Sequence, residues 1–210
     1  MGKLVVGTFM TLDGVVQAPG APDEDQEGGF AHGGWTVPLF DDELGQRMTE
    51  LTGRSGALLL GRRTYEIFAA SWPLVGDEEP IAAKLNTMPK YVASHTLQTA
   101  GWAHTTLLSG DVAKEVAALK EELDGEIHVS GSGNLVQTLL RHDLVDEFVL
   151  LVFPVVVGRT GKRLFGDGTL PRTMELVETA GTGSGVVIST YRRRGPLEVG
   201  AMGPEQDGDG

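Results

Sequence analysis

Residues 126–158 read EIHVSGSGNLVQTLLRHDLVDEFVLLVFPVVVG, and the hydrophobic period changes twice along them. Ile127 and Val129 belong to a short apolar run, and Gly131-Ser132-Gly133 breaks it. Leu135, Val136, Leu139 and Leu140 then share one face of a 3.6-residue period. Beyond Asp143 a longer run of β-forming residues covers 148–157. Strand, glycine turn, helix and strand make a βα unit whose turn lies at the carboxyl end of its first strand. Open α/β sheets hold their ligands at that end. Glycines let the backbone approach a ligand closely, and the free N–H groups of a new helix favour an anion. The motif is partial, because Val136 stands where a dinucleotide fingerprint has its third glycine. An ordinary turn and a phosphate cradle both remain open on this motif alone.

Working outward, Asp111 is an N-cap for a helix with Val112, Val116, Leu119 and Leu123 at helical spacing. Strands are expected at 3–10, 57–60, 90–94 and 105–108, and helices at about 41–53 and from Arg62 to Phe68. Residues 17–34 form a polar, glycine-rich loop, long enough to be functional or mobile. Residues 174–179 and 186–192 flank a glycine-rich connection and form a hairpin. Residues 195–210, GPLEVGAMGPEQDGDG, carry acidic side chains and little to bury, and a disordered acidic tail is expected there. The pattern predicts a single α/β domain over 1–194, with a mixed, mostly parallel central sheet flanked by helices and a C-terminal antiparallel hairpin. Pro154 marks the 148–157 strand as an edge or bulged one, which suits subunit pairing, and a homodimer is expected.

Composition narrows the function. The net charge of −12 argues against a nucleic-acid-binding surface. There is no cysteine, hence no thiolate nucleophile and no Cys-ligated zinc. His32, His95, His104, His128 and His142 show no metal-ligand spacing, so no metal is expected, and His128 reads as a strand-face residue. The first residues, MGKLVVGTFMTLDG, do not form a signal peptide, and no window approaches the ~18 apolar residues of a membrane helix. A cytoplasmic protein without a membrane partner is expected.

Three strand ends carry polar or glycine-rich groups: Gly61-Arg62-Arg63-Thr64, Ser94-His95-Thr96, and Ser130-Gly131-Ser132-Gly133 followed by Asn134. If the strands are neighbours, these turns form one rim of guanidinium groups, hydroxyls and helix starts, suited to a phosphorylated ligand. The residues resemble a known family at this point. ALLLGRRTYE, residues 57–66, resembles the strand–Gly-Arg-x-Thr–helix motif of dihydrofolate reductases, where the arginine and threonine hold NADPH phosphates. KYVASHTL resembles the next strand, whose terminal serine lies by the adenosine phosphate. IHVSGSGNLVQTLL resembles the glycine-rich turn at the cofactor's pyrophosphate. KLVVGTFMTLDGVV resembles the reductase domain of bacterial deaminase-reductases of riboflavin synthesis, the RibD C-terminal domain. The resemblance runs in order over residues 3–192. It implies a dihydrofolate-reductase-like fold and NADPH, held by Gly61, Arg62, Arg63, Thr64, Ser94, Gly131, Ser132, Gly133 and Asn134. It also implies reduction of a small heteroaromatic molecule such as 5-amino-6-(5-phosphoribosylamino)uracil.

The substrate half departs from the pattern. Dihydrofolate reductases carry a carboxylate two residues after the proline of a Trp-x-x-Pro segment. Here Trp35-Thr36-Val37-Pro38 is followed by Phe40 at that position, with Asp41 one residue later. The riboflavin reductases have a lysine in the first-strand signature and an Asp-Asp-Pro segment. Here Gly7 and Thr8, and Thr64-Tyr65-Glu66, stand instead. Asp13 and Asp41 are the candidate catalytic carboxylates, with a turn role for Asp13 and a helix-start role for Asp41 as the structural readings. Trp35 either stacks on a flat substrate or staples the long loop to the core. A non-catalytic, dimeric nucleotide- or flavin-binding module is the alternative to an oxidoreductase.

Overall fold

A computed structural model describes residues 1–158, 160–166 and 168–201. The chain runs β1 (Lys3–Thr11), α1 (Asp42–Arg54), β2 (Ser55–Gly61), α2 (Arg62–Ser71), α3 (Pro80–Thr87), β3 (Lys90–Ala93) and β4 (Thr105–Leu108). It continues through α4 (Val112–Glu122), β5 (Glu126–Ser130), α5 (Gly133–Arg141), β6 (Glu147–Phe153), β7 (Arg172–Gly181) and β8 (Val187–Pro196). The strands form one sheet in the order β4-β3-β2-β5-β1-β6-β8-β7. All pairs from β4 to β6 are parallel, and β8 runs antiparallel to both β6 and β7. This is the mixed, mostly parallel sheet with its antiparallel hairpin that the sequence predicts.

The unbroken apolar run of β1 follows from its place between β5 and β6, because a central parallel strand is covered on both faces. Leu4 and Val6 pack with Ile127, Val129, Val136 and Leu139, from β5 and α5, on one face. Val5 packs with Leu44 of α1, and with Val149, Leu151 and Phe153 of β6, on the other. Helix starts differ in a way that bears on function. Carboxylates of Asp41, Glu79 and Asp111 accept first-turn N–H groups of α1, α3 and α4, whereas α2 and α5 have no side-chain cap. The chain returns through β5 between β1 and β2. All three run parallel, so their carboxyl ends meet at one end of the sheet.

Two expectations change. The 148–157 run is not one edge strand: β6 stops at Phe153 and lies between β1 and β8, so Pro154 falls outside the ladder. Proline has no N–H to continue the pairing. The sheet edges are β4 and β7, so β6 offers no free edge for subunit pairing. At the carboxyl end, Gly195 and Pro196 extend β8 opposite Thr173 and Arg172, two residues into the segment expected as a tail. Residues 202–210 lie outside the described residues.

Candidate functional site

Ser132 joins the two uncapped helix starts. Its backbone N–H donates to Thr64 Oγ1 at 3.1 Å, and its Oγ accepts from Gly61 N at 2.9 Å while donating to Ser130 O at 2.9 Å. These bonds require the chain to turn sharply after β5. Gly131 (φ +53°) and Ser132 (φ +58°) are both left-handed, a conformation in which only glycine is free of strain. The starts of α2 and α5 are thereby fixed side by side.

They open on a cleft of ≈ 890 Å³, a size in the range of small-molecule sites. Of the residues expected at the phosphate rim, Gly61, Arg62, Arg63, Thr64, Gly131, Ser132, Gly133 and Asn134 line it. Ser94 does not. Its buried hydroxyl oxygen accepts from Thr96 N and Leu97 N, forming a local turn, and the next residue, His95, lines the cleft instead. His95 Nδ1 lies 2.9 Å from Ser109 O. A carbonyl only accepts, so Nδ1 carries the hydrogen and Nε2 remains available.

Both arginines of the rim already have carboxylate partners. Arg62 Nη1 contacts Glu66 at 2.9 and 3.0 Å, one helical turn away on the exposed surface. Arg63 Nη1 reaches Asp25 at 2.9 Å and Glu27 at 3.1 Å, and Lys162 Nζ reaches the same two at 2.7 and 2.8 Å. Lys162 and Arg63 hold the Glu27 carboxyl below its ordinary value; burial opposes them at Asp25, and they prevail there also. Gln17 completes this latch. Its Nε2 donates to Asp25 O and Glu27 O, and its Oε1 accepts from Lys162 N. The long polar loop is thus organised, and it forms one wall of the cleft.

The opposite half of the cleft is apolar. Phe9, Leu151, Met48, Leu51, Ile67 and Phe68 line it, and His128 lies on its floor. Burial first, then the charge of Arg54, pulls the His128 imidazole down to about 4.

Asp13, Asp41 and Trp35 lie outside the cleft lining. Asp13 ties two loops together, accepting from Thr11 Oγ1 at 2.6 Å and from Gly158 N at 2.9 Å. The Thr11 hydroxyl foremost, then the backbone N–H groups of Gly158 and Val157 against some opposition from burial, holds its carboxyl below the usual range. Asp41 accepts from Leu44 N at 2.8 Å and from Ser184 N at 2.9 Å, and the Leu44 bond is the main reason its carboxyl is also lowered. A carboxyl held ionised is a poor proton donor near neutral pH. Trp35 fulfils the second of its two readings: Nε1 donates to Gln17 O at 2.9 Å, and its ring packs edge-on against Phe153 in the core.

The profile of the RibD C-terminal domain matches residues 2–188. The chain belongs to the RibD C-terminal domain family. YyaP of Bacillus subtilis (strain 168), an uncharacterised protein, is 27% identical over 196 residues, which are 92% of this chain and 96% of YyaP. A solved protein assigned to riboflavin biosynthesis, from Shewanella sp. PV-4, matches with a TM-score of 0.70 and 22% identity, over 91% of this chain and 99% of the other. The dihydrofolate reductase of Enterococcus faecalis complexed with NADP(H) matches with a TM-score of 0.57 and 13% identity, over 91% and 96%. The fold is that of dihydrofolate reductase. In this RibD C-terminal domain the sequence reading missed His95, Lys162, the Asp25–Glu27 pair and the cleft-facing role of His128. Only His95 carried a local signal, as the neighbour of Ser94 in a turn already singled out. Among the described residues, no group of three or more His, Asp or Glu is placed to hold a metal ion, and no helix is long and apolar enough to cross a membrane.

Proposed function

We propose that this domain is an NADPH-dependent reductase of a small heteroaromatic substrate. The observation that carries the reading is the convergence of two uncapped helix starts, α2 and α5, on one cleft. Elsewhere in the chain the helix starts of α1, α3 and α4 are satisfied by carboxylates, which would repel a phosphate. At α2 and α5 the first N–H groups are left for an anion. The residues fit the cofactor on a second count: a Cβ added at Gly133 would meet no heavy atom within 4 Å, so space for a ligand adjoins the start of α5.

Bound NADPH would supply a hydride, and the protein's part is binding, orientation and exclusion of water. Gly133 and Asn134 would hold the pyrophosphate through backbone N–H groups and Thr64 through its hydroxyl. Gly131 and Ser132 would shape the turn, since the donors of Ser132 go to Thr64 and Ser130. Arg62 and His95 would read the adenosine phosphate. The exposed Arg62–Glu66 pair is a weak competitor, since such pairs contribute about 0–1 kcal/mol. The apolar half would hold the faces of a flat ring. The family's name and the NADP(H) bound by the enterococcal neighbour support this reading.

Titration of NADPH and NADH into the purified protein tests the rim. NADPH should bind more tightly, and Arg62→Ala should remove roughly 1.5–3 kcal/mol of that preference, the range for a hydrogen bond to a charged group. Equal affinity of wild type for both cofactors defeats the assignment. Oxidation of NADPH with a panel of pterins, pyrimidines and flavins tests turnover. Binding without oxidation across that panel would favour a nucleotide-binding module.

A further inference from the structure

The floor of the apolar half holds one imidazole that the phosphate rim does not use. Alternation along β5 sends Ile127 and Val129 into the core beneath α5, and His128 to the opposite face. His128 pairs in register with Val5 of β1 and Leu58 of β2, at the centre of the sheet. The fold leaves room for its ring. A Cβ at Gly7 would lie 2.7 Å from His128 Nε2, closer than real side chains come. Gly7 has no positive φ, so space and not backbone conformation is what glycine provides there.

Among the described residues neither ring nitrogen of His128 has a hydrogen-bond partner, in contrast to His95. Glu147 Oε2 is the one fully buried side-chain polar atom without a hydrogen-bond partner among those residues, and it is ion-paired with Lys3 Nζ at 2.6 Å. The His128 nitrogens therefore reach the open volume of the cleft, which His128 lines. Polar groups set into apolar pockets fix a ligand's orientation, and they discriminate against ligands that leave them unpaired.

We propose that His128 is the specificity-determining residue of the substrate half: its imidazole hydrogen-bonds an edge heteroatom of an uncharged planar ring whose faces lie against Met48, Leu51 and Phe68. The inference rests on the reading of this cleft as a reductase site and adds the chemistry of the substrate. Arg54 is the charge that acts on the imidazole from α1, and Leu58 and Val5 flank it without charge. With its ring uncharged near neutral pH, His128 offers one donor and one acceptor. One of these nitrogens can meet a single N–H or C=O on the edge of a lactam ring, and an uncharged imidazole brings no cation to a carboxylate or phosphate.

The test uses lumazine, a neutral bicyclic lactam, as the probe. It is titrated into wild type, His128→Leu and His128→Gln, with NADPH titrated into the same preparations. His128→Leu should lose lumazine affinity by about tenfold, the equivalent of ~1.4 kcal/mol, while NADPH affinity holds. His128→Gln, which retains a donor and an acceptor, should recover most of the loss. Should His128→Leu fail to fold, ring-¹⁵N histidine spectra of wild type decide: the His128 resonances, assigned by their absence in His128→Gln, should move when lumazine is added. Unchanged lumazine affinity in folded His128→Leu, or unmoved ring resonances, overturns the proposal, as does a wild type that does not bind lumazine. The NADPH titration shows separately whether the reductase reading survives.

Discussion

Lys90 has no exposed surface, and its ammonium ends among carbonyl groups at the end of α3. Nζ donates to Leu85 O at 2.7 Å and to Met88 O at 2.8 Å, with the Trp102 ring centroid 4.5 Å away. Burial pulls the group down to about 8, while carbonyls at a helix end favour the cation. In Lys90→Met the stem still fills its space, but the carbonyls lose their donor. The expected loss is about 1.5–3 kcal/mol, the range for hydrogen bonds to a charged group. Urea unfolding checks this through a lowered midpoint at unchanged slope; a loss within experimental error would show that water takes over the carbonyls. Nothing in KYVASHTL marks Lys90 as buried, since a lysine beginning a strand ordinarily reaches solvent. The same limit explains Ser94 and His95. Alternation counts faces reliably only within a strand, and β3 ends at Ala93, so it does not tell which of the next two side chains turns toward a ligand. The alternation of His128 with Ile127 and Val129 marks it as a strand-face residue, as it is, but says nothing of what that face adjoins.

The start of α5 is where a local motif and a site coincide. Gly131 lies at φ +53°, and a Cβ there would come within 3.5 Å of the Thr64 side chain. Gly131→Ala should therefore lower stability by roughly 1 kcal/mol through left-handed strain. Gly133 has no positive φ, and its added Cβ would meet no heavy atom within 4 Å. Gly133→Ala should melt at or slightly above the wild-type temperature, because alanine is the better helix former. Its methyl would nonetheless stand between a phosphate and the first N–H groups, so NADPH affinity should fall by about tenfold or more, ~1.4 kcal/mol. Melting and titration on one preparation separate the two effects, and wild-type affinity in folded Gly133→Ala would remove this turn from the site. The βα unit itself was legible because its period changes from strand to helix across two glycines, and α5 begins at Gly133 as that change predicts. The strand after it was overextended. Val155 to Val157 continue the apolar run, and only Pro154 signals that the ladder has ended at Phe153.

Strand order is a property of the whole molecule, and hydrophobic periods do not encode it. Eight strands can be anticipated in broad outline, but the insertion of β5 between β1 and β2, which gathers the rim, has no signal in the sequence. The latch of Asp25, Glu27, Arg63 and Lys162 has the same origin, as it joins residues far apart in the chain. Global stability offers a test of how this tertiary arrangement acts on His128. Its ordinary value is 6.5, and the fold brings it to about 4. Between those limits the unfolded chain binds a proton that the folded chain does not, so stability rises with pH across the window and is lost as pH falls through it. The lowered carboxyls of Asp25, Asp41, Asp111 and Asp143 contribute stability present above 3.8 and lost as pH falls through their folded values, beneath the histidine window. Acidification from neutral pH to about 5 should therefore destabilise wild type more than His128→Gln, which has no proton to gain at that position. Urea unfolding of both proteins at the two pH values gives the comparison directly. Equal losses would mean that the cleft does not hold the imidazole neutral, and that solvent reaches it as freely in the folded protein as in the unfolded chain.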